Sequence, residues 1–183
     1  MKSFTAKNTT FVLMSQHVLS YIYLSLFFLF LQNTVIAQRT IDHTLKILNK
    51  ESVPYIQPDS LKSNDNQILL DAREIEEFQV SHLQNAIWVG NKEFNPEKVL
   101  ETVEDKNQPI VVYCSIGVRS EDIGEKLLEL GYTNVQNLYG GIFEWKNKDG
   151  SVYNLQGIET DSVHAYNKLW GRLLKKGIKV YEP

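Results

Sequence analysis

Cysteine is almost missing from this chain of 183 residues, which contains one, Cys114. A single cysteine excludes an intramolecular disulfide, and no cysteine stands in the N-terminal segment, which excludes processing at a lipid-modified cysteine. Histidine is scarce as well. His17, His43, His82 and His164 are scattered, and with one cysteine they offer no metal-ligand spacing, so no metal and no cofactor are expected. Positive charge is in short supply: 19 Lys and Arg face 22 Asp and Glu, a net charge of -3, which provides no field to gather nucleic acid. Internal repeats and low-complexity tracts are also lacking. What remains, 43% hydrophobic and 22% charged residues, is a globular composition with room for one domain.

Acidic residues are absent before Asp42, while Lys2 and Lys7 stand in a short polar head followed by a dense apolar run over residues 18–31. The run is closed by Gln32-Asn33 and ends at Val35-Ile36-Ala37, so residues 1–37 are expected to be a secretory signal peptide, with a mature start near Gln38 or Arg39. The alternative is an uncleaved membrane anchor, since a span needs about 20 apolar residues. Either reading places the rest of the chain outside the cytoplasm, in a periplasmic or extracellular compartment. Loss of the leader removes Lys2 and Lys7 and no acid, so the 19 basic residues become 17 against 22 acidic and the net charge moves from -3 to -5.

The remainder alternates strands and helices. Apolar runs at residues 53–56, 68–71, 86–89, 110–113 and 135–138 read as strands. Helical patterns lie between and around them, over residues 41–49, 58–61, 73–80, 95–103, 120–130 and 143–146, with Pro96 at a permitted first-turn position and Gly131 where the strongest helix stops. This rhythm predicts an α/β fold with a parallel sheet covered on both faces. After Gly150 the rhythm changes. A short strand is expected at Val152-Tyr153, and residues 163–176 are expected to form a helix packed on the domain, with Val163, Tyr166, Leu169, Trp170, Leu173 and Leu174 on its apolar face. The chain thus divides into residues 1–37, a domain over residues 40–150, and a C-terminal extension over residues 151–183.

Cys114 opens the stretch Cys114-Ser115-Ile116-Gly117-Val118-Arg119-Ser120, directly after the apolar strand and directly before a helix. This order sets a thiol above backbone N–H groups at a helix N-terminus, which together with a guanidinium favour the thiolate. The same donors hold an anionic substrate against the sulfur and stabilise the charge that develops during attack. Such a thiolate has two uses: attack on a sulfane sulfur to form a persulfide, or attack on a phosphoryl or arsenate group.

Several separated motifs carry a resemblance. They are Leu70-Asp71-Ala72-Arg73, Glu77-Phe78, Ser81-His82-Leu83 with Asn85-Ala86, the stretch from Tyr113 to Ser120, and Leu138-Tyr139-Gly140-Gly141-Ile142 with Trp145. In this order and spacing, residues 53–148 resemble a rhodanese-like domain. The resemblance implies a three-layer α/β/α fold with a central, mostly parallel five-stranded sheet. It implies that Cys114 carries sulfur as a persulfide, that Ser115, Ile116, Gly117, Val118 and Arg119 form the loop that binds the transferred sulfur, and that Arg73, in the Asp-x-Arg segment, lies near that pocket. Four residues separate Cys114 from Arg119; sulfurtransferases of this fold resemble that spacing, whereas the related phosphatases and arsenate reductases have one residue more. The implied activity is transfer of sulfane sulfur from a small donor, thiosulfate or a persulfide, to an external acceptor such as cyanide, a thiol or a partner protein. A non-enzymatic persulfide carrier or interaction module is the alternative.

Other prominent residues have structural readings. Asp71, at a strand end, is expected to accept N–H bonds from its own loop, and Arg73 to serve either substrate or an ion pair with Asp71 or Glu77. His82 reads as a packed, hydrogen-bonded histidine, and Trp145 and Trp170 as packing residues. Gly140-Gly141 allows a backbone to pass close to the pocket.

Overall fold

The four apolar residues before Cys114 are buried on both sides, and the sheet is built outward from them. The computed structural model describes residues 20–21, 23–25, 40–64 and 66–182, and the chain divides into two units, residues 1–39 and 40–183. In the first unit the described residues are helical; the rest of the expected leader lies outside the described residues. No described helix is long and apolar enough to cross a membrane.

The second unit runs α1 (Ile41–Leu48), β1 (Tyr55–Ile56), α2 (Pro58–Lys62), β2 (Ile68–Asp71), α3 (Ile75–Val80), β3 (Ile87–Trp88) and α4 (Pro96–Thr102). It continues with β4 (Ile110–Tyr113), α5 (Arg119–Glu129), β5 (Val135–Leu138) and α6 (Gly141–Asn147). The last part holds β6 (Val152–Tyr153), β7 (Glu159–Thr160), β8 (Ser162–His164), a 3-10 turn at Trp170–Arg172, and β9 (Ile178–Val180). Strands β1–β5 form a five-stranded sheet in the order β1-β5-β4-β2-β3, and every pairing in it is parallel. The sheet is therefore wholly, rather than mostly, parallel.

Side chains alternate across a strand, so β4 feeds two cores. Val111 and Tyr113 join Ile41 and Leu45 of α1, Ile142 and Phe143 of α6, and Val163 and Leu174 of the C-terminal part. Ile110, Val112 and Cys114 face the other way, onto Val99 of α4 and Ile123 and Leu127 of α5. This is the expected three-layer arrangement.

The C-terminal part departs from expectation. Residues 163–176 do not form a helix. Instead β8 pairs in parallel with β9, Ser162 opposite Ile178 and His164 opposite Val180, and Ser81 Oγ donates to Ser162 O at 2.6 Å. Of the six residues at helical spacing, Val163, Leu173 and Leu174 are buried while Tyr166 and Leu169 are exposed, and the buried ones reach the core from a strand and from the turn after it. Tyr166, with φ of 62°, interrupts any helix, and Asn167 Oδ1 accepts from the N–H groups of Leu169 (2.9 Å) and Trp170 (3.1 Å), limiting the segment beyond Asn167 to one short turn.

Helix α5 packs against the segment that leads into β1 at Gly124, where a Cβ would lie 2.8 Å from Val53 Cγ2. Alanine gains about 1 kcal/mol of helix propensity over glycine. Overpacking against the χ1-restricted Val53 costs about 1–3 kcal/mol. Gly124→Ala should therefore lower the urea midpoint with the slope of the transition unchanged; a raised midpoint would show that the helix and Val53 separate freely.

Candidate active site

Cys114 leaves β4 with its sulfur over the loop that leads into α5. Gly117 N–H points back at Sγ, 3.1 Å away. The turn needs φ of 106° at Gly117, a conformation that side chains disfavour. Gly117 O is held from outside by two amides, Asn49 Nδ2 and Asn137 Nδ2, each at 2.8 Å. In a trans peptide the N–H lies opposite the C=O, so these bonds aim Val118 N–H away from the two amides. Asn137 Oδ1 in turn accepts from Ser120 Oγ at 2.8 Å, joining β5 to the first turn of α5.

The start of the loop is fixed from α6. Ile142 N–H donates to Cys114 O at 2.9 Å and Phe143 N–H to Ser115 O at 3.1 Å. This approach requires Gly141, whose φ is 53° and where a Cβ would come within 2.7 Å of Ser115 C. The expectation that Gly140-Gly141 lets a backbone pass close to the pocket thus has its physical cause in these two bonds.

The charges lie beside the sulfur. Glu77 of α3 is buried and accepts from Arg119 Nη1 (2.6 Å), Arg119 Nη2 (2.9 Å) and Ser115 Oγ (2.8 Å). Arg119 Nη2 also donates to Ser115 Oγ at 2.9 Å. Burial pushes the Glu77 carboxyl up, but the bonds and charge of Arg119 outweigh it and hold it below the ordinary carboxylate range. Burial likewise pushes the Cys114 thiol up; the Arg119 charge, then the bonds from Ser120 and from Gly117 N–H, carry it below the ordinary thiol value. Arg119 itself stays protonated, since its bonds to Glu77 and the charges of Cys114 and Glu77 overcome its own burial.

A cavity of about 180 Å³ opens over the sulfur, lined by Cys114, Ser115, Ile116, Val118 and Arg119 from the loop and by Leu48, Tyr166 and Trp170 from elsewhere. The structure therefore brings together the loop residues that the sequence singles out, with Gly117 contributing its N–H. It does not bring Arg73 into the cavity lining. Arg73 is fully buried, with Nε 3.0 Å from Asp71 Oδ1 and Nη2 bonded to Asp71 Oδ2 at 2.7 Å and Ser81 O at 2.6 Å. Its charge is consumed by a carboxylate of its own segment, and it serves as a pairing residue. Asp71 also accepts from Arg73 N–H at 3.0 Å, as expected for the strand end.

His82 is packed as expected, stacked on Phe78 at 4.1 Å between ring centroids and bonded through its backbone to Tyr153. Trp145 packs and donates to Ser151 O at 2.8 Å. Trp170 packs against the core as expected and also lines the cavity. Among the described residues no group of three His, Cys, Asp or Glu is placed to hold a metal ion. Sequence reasoning placed Glu77 in a motif and as a possible partner of Arg73, whereas it pairs with Arg119, and it missed Asn49, Asn137, Leu48 and Tyr166 as site residues. Glu77 carried a signal, since it stands three residues after Glu74, the spacing of a helix start, and its Oε2 accepts from Glu74 N–H at 3.1 Å. The others carried none.

A family model described as a rhodanese-like domain matches residues 58–148. The thiosulfate sulfurtransferase PspE of Escherichia coli is 41% identical over 71 residues, which cover 39% of this chain and 67% of PspE. A tRNA uridine(34) hydroxylase of Cytophaga hutchinsonii is 32% identical over 116 residues, 59% of this chain but 37% of that protein. The chain thus spans little more than a third of the hydroxylase. A crystal structure of a thiosulfate sulfurtransferase from Pseudomonas aeruginosa superposes with a TM-score of 0.52 at 23% identity, covering 60% of this chain and 21% of that one, which shows the shared fold.

The lowered thiol has a direct readout. Alkylation of Cys114 by iodoacetamide, measured by intact mass against pH, should rise with a midpoint below the ordinary thiol value of about 8.5. Arg119→Gln should move that midpoint up; an unmoved midpoint would remove Arg119 as the cause. Glu77 acts on stability with the opposite limb. Its folded value is depressed, so its contribution is complete above the unfolded value of about 4.3 and is lost as the pH falls through the folded one. Glu77→Gln should flatten the acid limb of a denaturation profile.

Proposed function

Since this chain belongs to the family of rhodanese-like domains, we propose that it is an exported sulfurtransferase that carries sulfane sulfur on Cys114. The observation that supports this reading most strongly is the placement of Sγ: a thiol lowered by Arg119, with Gly117 N–H 3.1 Å away, at the floor of an open cavity. The Cys114 thiolate attacks the outer sulfur of thiosulfate or a persulfide. The new Sγ–S bond forms as the donor's S–S bond breaks, and the remainder, sulfite or a thiolate, leaves with the electron pair. The outer sulfur of the Cys114 persulfide then carries negative charge among the N–H groups of the loop.

An external nucleophile, cyanide or a thiol, attacks that outer sulfur, and Cys114 leaves as the thiolate that began the cycle. This chain has no second cysteine to resolve the persulfide internally, so the acceptor is a separate molecule. Four residues between Cys114 and Arg119 favour sulfur over a larger tetrahedral oxyanion. The net charge of -3 weighs against a tRNA substrate, because polyanion binding draws on basic surface. Residues 1–37 act as the export signal, with retention as a membrane anchor as the alternative.

Incubation of the leaderless protein with thiosulfate or a persulfide should add one sulfur by intact mass, removable by cyanide, and Cys114→Ser should neither load nor turn over. Absence of loading with both donors would overturn the reading. Stable loading with negligible turnover on cyanide and on thiols would favour a persulfide carrier instead. Export is tested separately: the N-terminus of the protein recovered from the periplasmic or culture fraction should lie near Gln38 or Arg39, and an intact N-terminus in the membrane fraction would favour the anchor.

A further inference from the structure

Three residues of the cavity lining, Leu48, Tyr166 and Trp170, lie outside the span matched by the family, 58–148. Leu48 ends α1, and Asn49 beside it is bonded to Gly117 O, which sets Leu48 against the loop. Tyr166 and Trp170 come from the turn between β8 and β9. Tyr166 holds φ of 62°, a conformation in which a bulky residue is an outlier. Its N–H bonds to His164 Nδ1 at 3.3 Å, and its ring lies 5.3 Å from the Arg119 guanidinium. The strained tyrosine is therefore fixed over the site by its own strand and by the site's cation. With Ile116 and Val118, these side chains make an apolar rim above the sulfur.

Charge points the same way. With Cys114 ionised, it and Glu77 are two negative groups against one guanidinium, and Arg119 already directs N–H groups at Glu77 and Ser115. The neighbouring charges pair off: Glu74, 3.9 Å from Arg119, with Lys92, 3.6 Å away, and Arg73 with Asp71 at 2.7 Å. No surplus cation among the lining residues receives an inorganic dianion. A cavity of about 150 Å³ accepts a benzene ring, and this one, at about 180 Å³, has that room.

We propose that the sulfur donor is organic and at most singly charged, an aryl or bulky alkyl persulfide or thiosulfonate whose apolar group lies against Tyr166, Trp170 and Leu48. This rests on the sulfurtransferase reading and names its substrate class. With a thiosulfonate, the Cys114 thiolate takes the sulfane sulfur to give Cys114–S–S⁻, the S–S bond of the donor breaks, and a sulfinate leaves with the electron pair. With a persulfide, the leaving group is the thiolate, which takes up the persulfide's proton. Neither step needs an oxidant or a reductant.

The test compares benzenethiosulfonate, methanethiosulfonate and thiosulfate as donors, with cyanide as acceptor. The first two carry the same charge and the same reacting sulfur, so their ratio reads the apolar group alone. The expected order of kcat/KM is phenyl above methyl by about tenfold or more, with thiosulfate lowest. Tyr166→Gly, which removes the ring while relieving the backbone, and Trp170→Ala should each pull the phenyl-to-methyl ratio toward one, and Trp170→Phe should keep it. Thiosulfate equal to or better than the phenyl donor would overturn the proposal, as would a ratio that these variants leave unmoved. Equal use of all three leaves sulfur transfer standing and overturns only the donor class; uptake from none of them and none from an alkyl persulfide overturns the sulfurtransferase reading and the proposal with it.

Discussion

The buried Glu77 carboxylate is the constraint on which the site depends. It stands at the start of α3, on the opposite side of β4 in sequence from the loop it organises, and it accepts from Arg119 and Ser115 at the two ends of that loop. An unpaired carboxylate in that position would be costly, and separating a buried pair of this kind costs about 3–5 kcal/mol. The loop therefore closes around Arg119, and the guanidinium so placed is the charge that favours the Cys114 thiolate. Stability and reactivity have one source here: the ion pair that satisfies α3 also activates the sulfur.

The second frame is made of amides. Asn137 on β5 and Asn49 after α1 both donate to Gly117 O, and α6 donates to the carbonyls of Cys114 and Ser115. These bonds occupy the carbonyls of Cys114, Ser115 and Gly117, while Gly117 N–H is directed at the sulfur. Arg73 and Asp71 complete the frame one layer away, as a neutral pair that ties β2 to the segment at Ser81.

Much of this could be read from the chain because it is local. The run 110–113, the cysteine directly after it, the glycine three residues on and the helix beyond are encoded in a dozen consecutive residues, and the structure places them as read. Arg73 shows the limit of motif reading: its spacing to Asp71 is visible, but its complete burial is a property of the packed domain. Glu77 meets Arg119 across 42 residues, a pairing that no local pattern announces. The end of the chain misleads for a clear reason. Val163, Leu173 and Leu174, which stand at helical spacing, are buried instead by a strand pair and a turn, and the positive φ of Tyr166 leaves no trace in a tyrosine's identity.

The C-terminal turn also has a consequence in time. Leu48 and the pair Tyr166 and Trp170 line the cavity over Cys114 from opposite ends of the described domain, so bringing them to one site closes a loop that spans nearly the whole of it. Closing so long a loop costs conformational entropy and slows the step that brings its ends together. A chain that emerges from its N-terminus onward presents Cys114 before Tyr166 and Trp170, which cover it. For that interval the sulfur stands open to any oxidant in its surroundings, and the rate at which the last strand docks sets how long the exposure lasts.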